Sequence, residues 1–295
     1  MLNYLLYLNL LLAIDRGSFD DSNLSQFNLY FENDFIFDTD KYYTNGLKLQ
    51  WISRRDDVLY NFGVVQDMYT PKYHSLNFVQ AGDHPYTGRV EGNMGVSIID
   101  GASMVSLDIG VGYTGRYTYA QEAMDTIHNI IPSDHIFGGW EYQTPTKLLG
   151  RISISQKERY VISDGYIDFI SNIGLNLSNF QTDIYAGYQF RFGYNLPNDF
   201  GLYSNISKSI NYIDPTNTIH AYTTIGFQAE YIGDDLSLND PTTPQYHQKI
   251  IFNGGFSFAY KEFTASLLLS RETDRFHSQD ERYFEYGTIL IGYRF

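Results

Sequence analysis

The stretch IYAGYQFRF, residues 184–192, decides the fold class of this chain. Every second residue, from the first to the last, is apolar, and the residues between them include Gln189 and Arg191. Successive side chains of a β-strand point to opposite faces of a sheet, so this period of two predicts a strand with one apolar and one polar face. Residues 219–231 and 248–260 repeat the pattern. We therefore expect an all-β protein.

Strand length and the chemistry of the second face distinguish a barrel from a sandwich, which would show the same alternation. The predicted strands run to about 10–13 residues, and about 9–11 tilted residues cross a bilayer. Their less apolar faces carry Arg, Lys, Gln and Glu, as does the interior of a membrane barrel. The last strand, residues 285–295, ends on the aromatic Phe295. These features favour a transmembrane β-barrel.

Twelve antiparallel strands are predicted, an even number as is usual for a barrel of this class. The Asn-Gly pair at 45–46 lies inside the second strand and not in a hairpin turn, because apolar alternation begins directly after it. The predicted strands cover residues 26–35, 43–54, 58–69, 86–99, 103–114, 146–156, 165–176, 180–193, 219–231, 247–260, 262–272 and 285–295.

One segment departs from the strand pattern. Residues 120–131 (AQEAMDTIHNII) have helical composition, and the spacing of Met124, Ile127 and His128 places them on one side of a helix. Pro132 follows and ends the helix. We expect a short helix between strands 5 and 6, at the rim of the barrel or over its wall.

Composition limits the compartment and the partners. No linker divides the 295 residues, so we expect one barrel domain over residues 21–295. Residues 2–14 are apolar but shorter than the about 20 residues of a membrane-spanning helix, and they indicate a signal peptide over residues 1–20.

The net charge of −14 argues against nucleic acid as a partner. The chain has no cysteine, which excludes disulfides and thiolate zinc sites, and its 17% aromatic residues suit the girdles of an outer-membrane barrel.

Polar residues gather where predicted strands begin and end, and each has an ordinary structural explanation as well as a functional one. Asn33 and Asp34 would face opposite sides of a regular strand, so the strand ends or bulges there if they act together; otherwise they mark a turn. Thr44 shares its predicted face with Lys48 and is either a site residue or a β-branched strand residue. His128 is either a base or a packed or solvated helix residue.

The polar segments in order resemble the lipid A 3′-O-deacylase family of outer-membrane enzymes (LpxR-like). Five short motifs, spread over residues 26–143, carry the resemblance, and beyond them the similarity is mainly one of strand pattern and length. They are Glu32-Asn33-Asp34, Asp40-Lys41-Tyr42-Tyr43-Thr44-Asn45-Gly46, Gln66-Asp67-Met68-Tyr69-Thr70-Pro71, Asp83-His84-Pro85-Tyr86-Thr87-Gly88, and Ile127-His128 with Gly139-Trp140 and Gln143.

The resemblance implies a twelve-stranded barrel with a calcium-dependent esterase site near the outer leaflet. Carried over by position, His128 is the general base for a water nucleophile, Asp34 is the metal ligand, and Asn33 and Thr44 are polar groups of the site. Some members have a lysine after the Tyr-Thr-Pro segment that helps to stabilise the oxyanion; Lys72, directly after the proline, is the nearest here. Lipid A of the Gram-negative outer membrane is the implied substrate, and we expect a monomer among outer-membrane lipids.

Two other functions remain open. The chain could be a different barrel lipid enzyme, such as a phospholipase or an acyltransferase, which would use a catalytic serine or another residue set. It could also be a pore or structural barrel without catalysis. A passive pore has no evident use for the helix that carries His128, and the sequence contains no Gly-x-Ser-x-Gly motif.

Overall fold

The computed structural model describes residues 24–34, 41–76, 78–130, 138–202, 216–238, 242–279 and 282–295, without the side chains of 24, 127–130, 216 and 217. The chain forms a closed barrel in which each strand pairs with its neighbours in sequence, and the first pairs with the last. All pairs are antiparallel. The predicted signal peptide, residues 1–20, lies outside the described residues.

All twelve predicted strands and the helix are confirmed, and ten strands match within two residues at each end. The exceptions are the sixth and ninth strands, which are longer than predicted because pairing continues where the outward residues become polar and the alternation fades. The strands are β1 (Leu24–Asn33), β2 (Tyr42–Arg55), β3 (Val58–Thr70), β4 (Thr87–Asp100), β5 (Ser103–Thr114), β6 (Leu148–Ser163), β7 (Ile167–Ser178), β8 (Gln181–Tyr194), β9 (Thr216–Asp235), β10 (Gln248–Lys261), β11 (Phe263–Thr273) and β12 (Tyr283–Arg294), and the helix α1 is Ala120–Ile130.

The two faces of the strands differ as the alternation predicts. In β8, Ile184 and Phe192 are exposed on the outer surface, whereas Gln189 and Arg191 are fully buried in the lumen. Burying a charge is costly unless it is paired, and Arg191 donates to Asp168 at 2.7 Å. The apolar outer surface and polar interior are those of a barrel with lipid as its outer solvent.

The two ends of the barrel differ in their connections. At one end β2–β3, β4–β5, β6–β7 and β10–β11 are joined by turns of one to three residues. At the other end, called the loop end below, residues 71–86 and 115–147 form long connections. Four of the five connections at the first end are short turns, the exception being residues 195–215 between β8 and β9. Outer-membrane barrels have short periplasmic turns and longer extracellular loops, so we expect the loop end to face the cell exterior.

The lumen is obstructed near both ends. Residues 195–202 fold inward after β8 and cross to the opposite wall, where Phe200 packs on Ile52 and Met104 and Leu202 packs on Tyr30. At the loop end an apolar cluster joins strands on all sides of the barrel. Its members are Tyr42, Tyr43, Tyr69, Leu149, Phe180, Leu238, Phe276, Phe284 and Tyr286.

Helix α1 lies against the outer surface of the barrel wall, which settles its predicted place at the rim or over a wall. Its residues Ala120 and Met124 are buried against Met68, together with Tyr86 and Trp140. Met68 shares the outer face of β3 with the exposed Phe62 and Val64. No helix in the described part of the chain is long and apolar enough to span a bilayer.

Candidate functional site at the outer wall

The polar segments at the ends of β1 and β2 meet around an irregular strand pairing. Asn33 pairs with Asn45 across the β1–β2 ladder, and β1 ends there, so Asp34 lies just beyond the strand and not within it as predicted. On the other side of β2 the register shifts between Tyr43 and Asn45. Thr44 is therefore the extra residue of a bulge, a distortion that is common next to active sites.

Hydrogen bonds tie Asn33, Asp34, Thr44 and Thr70 together, and these four residues are called the polar network. The Asn33 amide donates to the Thr44 carbonyl oxygen at 2.9 Å, and the Asp34 backbone N–H approaches the same oxygen at 3.5 Å. The Thr44 and Thr70 hydroxyls are 2.7 Å apart. The structure thus brings together three of the four predicted site residues.

The Asp34 carboxylate also fixes the start of β2. Its Oδ2 accepts a hydrogen bond from the backbone N–H of Lys41 at 2.9 Å, and the carboxylate is fully buried. The next residue, Tyr42, has φ of 64°, a left-handed conformation that residues other than glycine rarely adopt. Such local strain tends to occur at functional sites. The residue predicted to bind metal therefore also ties the first residues of β2 to the end of β1.

The polar network borders the outer face of the wall. Asn33 lies on the face of β1 that also carries Leu29 and Phe31, and Asn45 beside it lies on the face of β2 that carries the exposed Leu47. Both Asn33 and Asn45 are nonetheless buried. A lipid held against the outer wall is therefore next to buried polar groups at the loop end.

Several matched motif residues serve structure instead of chemistry. Glu32 faces the lumen, where it accepts hydrogen bonds from Tyr43 at 2.6 Å and Thr288 at 3.0 Å. Asp83 accepts backbone N–H bonds from Lys72 and Tyr73, both at 3.0 Å, and from the residue that follows it. These carboxylates organise the barrel interior and the β3–β4 connection.

Other motif residues position the helix and the segments next to it. The Gln66 side chain donates to the backbone oxygen of Thr118 at 2.6 Å, just before α1. Tyr86 packs on Trp140 with ring centroids 4.6 Å apart, and the Tyr86 hydroxyl donates to the His74 carbonyl oxygen at 2.9 Å. The motifs at 66–71 and 83–88 therefore place the helix against the wall.

The histidines differ in what the structure shows of them. His128 lies within α1, but its side chain is outside the described part, as is all of His135. His84 is described, and it stacks on Tyr69 at 5.4 Å within reach of Phe276 in the lumen cluster. Burial lowers the pKa of His84 to about 4, with a further contribution from Arg275. His84 lies with the lumen cluster, apart from Asn33 on the outer face, so it is a poor substitute base for this site.

Lysine positions bear on the oxyanion role that the resemblance implies. Lys72 lies in the β3–β4 connection, and its ammonium group is 4.9 Å from the centroid of the Tyr73 ring. Lys41 is buried beside Asp34, with its ammonium 5.8 Å from the centroid of the Tyr42 ring. An oxyanion role for Lys72 stays a prediction from the resemblance.

Sequence reasoning missed Thr70 as a member of the polar network. Thr70 stood in a matched motif, but its partner is 26 residues away on the neighbouring strand. A register of β2 against β3 without the bulge would not have paired the two hydroxyls. The alternation of β3 did contain the signal that Met68 is an outward apolar residue, but only the helix explains its complete burial.

The chemistry of the donor set bears on the calcium expectation. Among the described residues no group of three or more His, Asp or Glu side chains could hold a metal ion. Asp34 would therefore act with neutral oxygens, such as the Thr44 hydroxyl, the Asn33 side chain and backbone carbonyls. Calcium accepts carboxylate, amide and backbone oxygens in one coordination shell, so the types of oxygen in this donor set fit calcium. The set supplies little negative charge, because Asp34 is its one carboxylate.

Comparison with known proteins places the chain in a family. Residues 4–295 match the family model described as outer membrane protein LpxR. LpxR from Salmonella typhimurium has a similar structure, with a TM-score of 0.77 and 17% identity over 92% of this chain and 99% of that one.

More distant barrels also match. The translocator domain of the autotransporter NalP from Neisseria meningitidis has a TM-score of 0.43 at 9% identity, over 99% of this chain and 96% of that one. Comparison with curated proteins gave no match. The family model spans almost the whole chain, and the LpxR barrel has the same fold. The chain therefore belongs to the LpxR family of outer membrane proteins.

Proposed function

We propose that this protein is a lipid A deacylase, which hydrolyses the 3′-linked acyl ester of lipid A with a water nucleophile, His128 as general base and calcium at Asp34. The observation that carries the proposal is the buried polar network beside the lipid-facing wall and a helix laid against it. An ester of a membrane lipid reaches such a site sideways from the outer leaflet. A soluble substrate would need no lipid-facing approach.

Helix α1 supplies the position for a base. Met124 is buried against Met68 on the wall, and Met68 pairs with Asn45 beside the bulge. His128 follows Met124 by four residues, so the two positions occupy the same face of the helix. An imidazole there would take a proton from water at neutral pH, because the usual pKa of histidine is near 6.5.

The remaining groups have separate tasks in this proposal. Asn33 holds the Thr44 carbonyl and so keeps the bulge in shape, and Thr70 orients the Thr44 hydroxyl towards the site. Calcium, when bound, would polarise the ester carbonyl and stabilise the negative charge that develops on its oxygen. Asp34 would hold the ion, with Thr44 and Asn33 as neutral oxygen donors.

The competing functions receive less support. A passive pore needs an open lumen, whereas residues 195–202 cross it and the apolar cluster fills the loop end. A barrel enzyme with a catalytic serine remains the alternative hydrolase. A serine-directed inhibitor distinguishes it, because a water-based mechanism is insensitive to such a reagent.

Mass spectrometry of lipid A tests the proposal in cells that express the chain, compared with cells that do not. We expect the mass of one 3′-linked acyl group to disappear, and His128→Gln to reduce this conversion by about 10²-fold or more, since general base catalysis contributes about 10²–10⁴-fold. Gln121→Ala, at an exposed position of the same helix, is the matched control. Unchanged lipid A with the wild-type chain contradicts the deacylase, and full conversion by His128→Gln contradicts only the base.

A further inference from the structure

An apolar groove crosses the outer wall below the polar network. It has a volume of about 560 Å³ and extends over the outer faces of β1 to β5. Gly92 forms its floor, because Gly92 stands in a row between the outward side chains of Val64 and Val111. Met94, two residues further from the loop end, closes the groove below.

The groove lies in line with the candidate site. Leu49 borders the groove on β2, four residues from Asn45, which pairs with Asn33. At about 3.4 Å per residue along an antiparallel strand, the two levels are about 14 Å apart. Leu47 and Phe31 lie between them on the same outer face. An extended long acyl chain covers this distance, and a short one does not.

We propose that this groove holds the distal part of the acyl chain whose ester lies at the polar network, and that it selects for chain length. The inference rests on the proposed deacylase function and deepens it. A chain in the membrane is already in an apolar solvent, so the groove gains little from the hydrophobic effect. It acts through shape, since a chain that fits makes dispersion contacts along its length.

Gly92 offers a direct test. A Cβ atom built there meets only the Val111 carbonyl oxygen, at 3.9 Å, so the backbone tolerates a side chain that fills the groove. Gly254, another outward glycine, lies away from the groove on β10, where it pairs with Ile225 and Leu269. A Cβ atom built there meets only a carbonyl oxygen, at 3.8 Å. Gly92→Phe and Gly254→Phe are therefore a matched pair of lipid-facing substitutions.

The experiment measures hydrolysis of synthetic acyl glucosamine phosphates by the full chain in detergent, with myristoyl and butyryl esters compared. We expect Gly92→Phe to lower the ratio of myristoyl to butyryl rates by about 10-fold, a size typical of hydrophobic pocket selectivity, and Gly254→Phe to keep the wild-type ratio. Met94→Ala lengthens the groove and should raise the rate on palmitoyl relative to myristoyl esters.

The outcomes distinguish a failure of the groove proposal from a failure of the proposed deacylase function. If the wild-type chain hydrolyses both esters and Gly92→Phe keeps the wild-type ratio, the groove proposal is wrong and the deacylase stands. An equal fall of the ratio in Gly254→Phe also overturns it, because a general effect of the lipid-facing surface is then responsible. If Gly92→Phe does not fold, an unchanged palmitoyl preference in Met94→Ala overturns the groove. If the wild-type chain hydrolyses neither ester, both proposals fail.

Discussion

At the scale of single residues, Thr44 contributes to the site through its backbone as well as its side chain. Its carbonyl oxygen accepts from Asn33 and Asp34 on the β1 side, while its hydroxyl meets Thr70 on the β3 side. Regular β1–β2 pairing therefore joins the first two polar segments, and the extra residue in β2 brings Thr44 to Thr70 on the other side.

The negative charge of Asp34 is what the predicted calcium binding depends on. In Asp34→Asn we expect a calcium requirement at least about 10-fold higher than in wild type, because the substitution removes the carboxylate and keeps an oxygen for the Lys41 N–H. A site with so few charges predicts calcium binding in the weak range of about 10⁻⁴–10⁻³ M. The measurement is lipid A hydrolysis over a calcium titration. Asp56→Asn, in the exposed β2–β3 turn, is the control, and full wild-type activity in excess chelator contradicts the metal role.

At the scale of elements, α1 packs on a surface formed by β3 and β4, which come earlier in the chain. Gly88, the second residue of β4, lies under Thr118 and Ala120 where the chain enters the helix, and Met68 lies under the helix itself. The Gln66 side chain holds the turn before the helix. The helix composition predicts its existence, whereas these three contacts decide where it docks.

Gly88→Ala tests whether the docked position of α1 matters for turnover. A Cβ atom at Gly88 would lie 2.6 Å from the Cβ of Ala120, so the helix must shift away from the wall. A misplacement of about 1 Å can reduce catalysis by about 10²-fold, and we expect a loss of this order with an intact barrel. Initial rates measure the loss of catalysis, and heat-modifiable gel migration measures whether the barrel is intact. Gly254→Ala, where a Cβ meets only a carbonyl oxygen at 3.8 Å, is the control, and full activity of Gly88→Ala would show that the helix position is not critical.

At the scale of the whole molecule, the lumen is a packed core and the outer wall carries the candidate site. Ion pairs such as Arg191 with Asp168 and Lys249 with Glu230 cross between neighbouring strands inside the barrel. The inward segment after β8 adds apolar contacts to the far wall through Phe200 and Leu202. The interior therefore stabilises the barrel, and the proposed lipid chemistry is assigned to the outer face.

The filled lumen predicts that the wild-type chain conducts no steady ionic current. Reconstitution into a planar bilayer at increasing protein concentration measures this, with a general porin as the positive control. We expect a baseline current, because residues 195–202 and the apolar loop-end cluster obstruct the path in series. Regular single-channel steps that scale with the amount of folded protein would contradict a closed lumen and favour the pore function.

The sequence by itself determined the barrel, because a period of two is a local property that each strand carries whether or not its partners are known. It also determined which side chains of β8 meet lipid and which meet the lumen, and that the 120–131 segment is helical. The five motifs were sufficient to bring Asn33, Asp34, Thr44 and His128 together as candidates. Strand ends were less certain, since alternation fades where both faces become polar, as at the end of β6.

Only the tertiary structure decided on which side of the wall the candidate site lies and how its residues are joined. Bulges arise from the register of two strands, so the meeting of Thr44 with Thr70 could not be read from β2 alone. The docking of α1 depends on Met68, Tyr86 and Trp140, which are far apart in sequence. The inward fold of residues 195–202 depends on walls built from strands on the opposite side of the barrel. Local periodicity specifies elements, whereas long-range packing specifies where their polar ends meet.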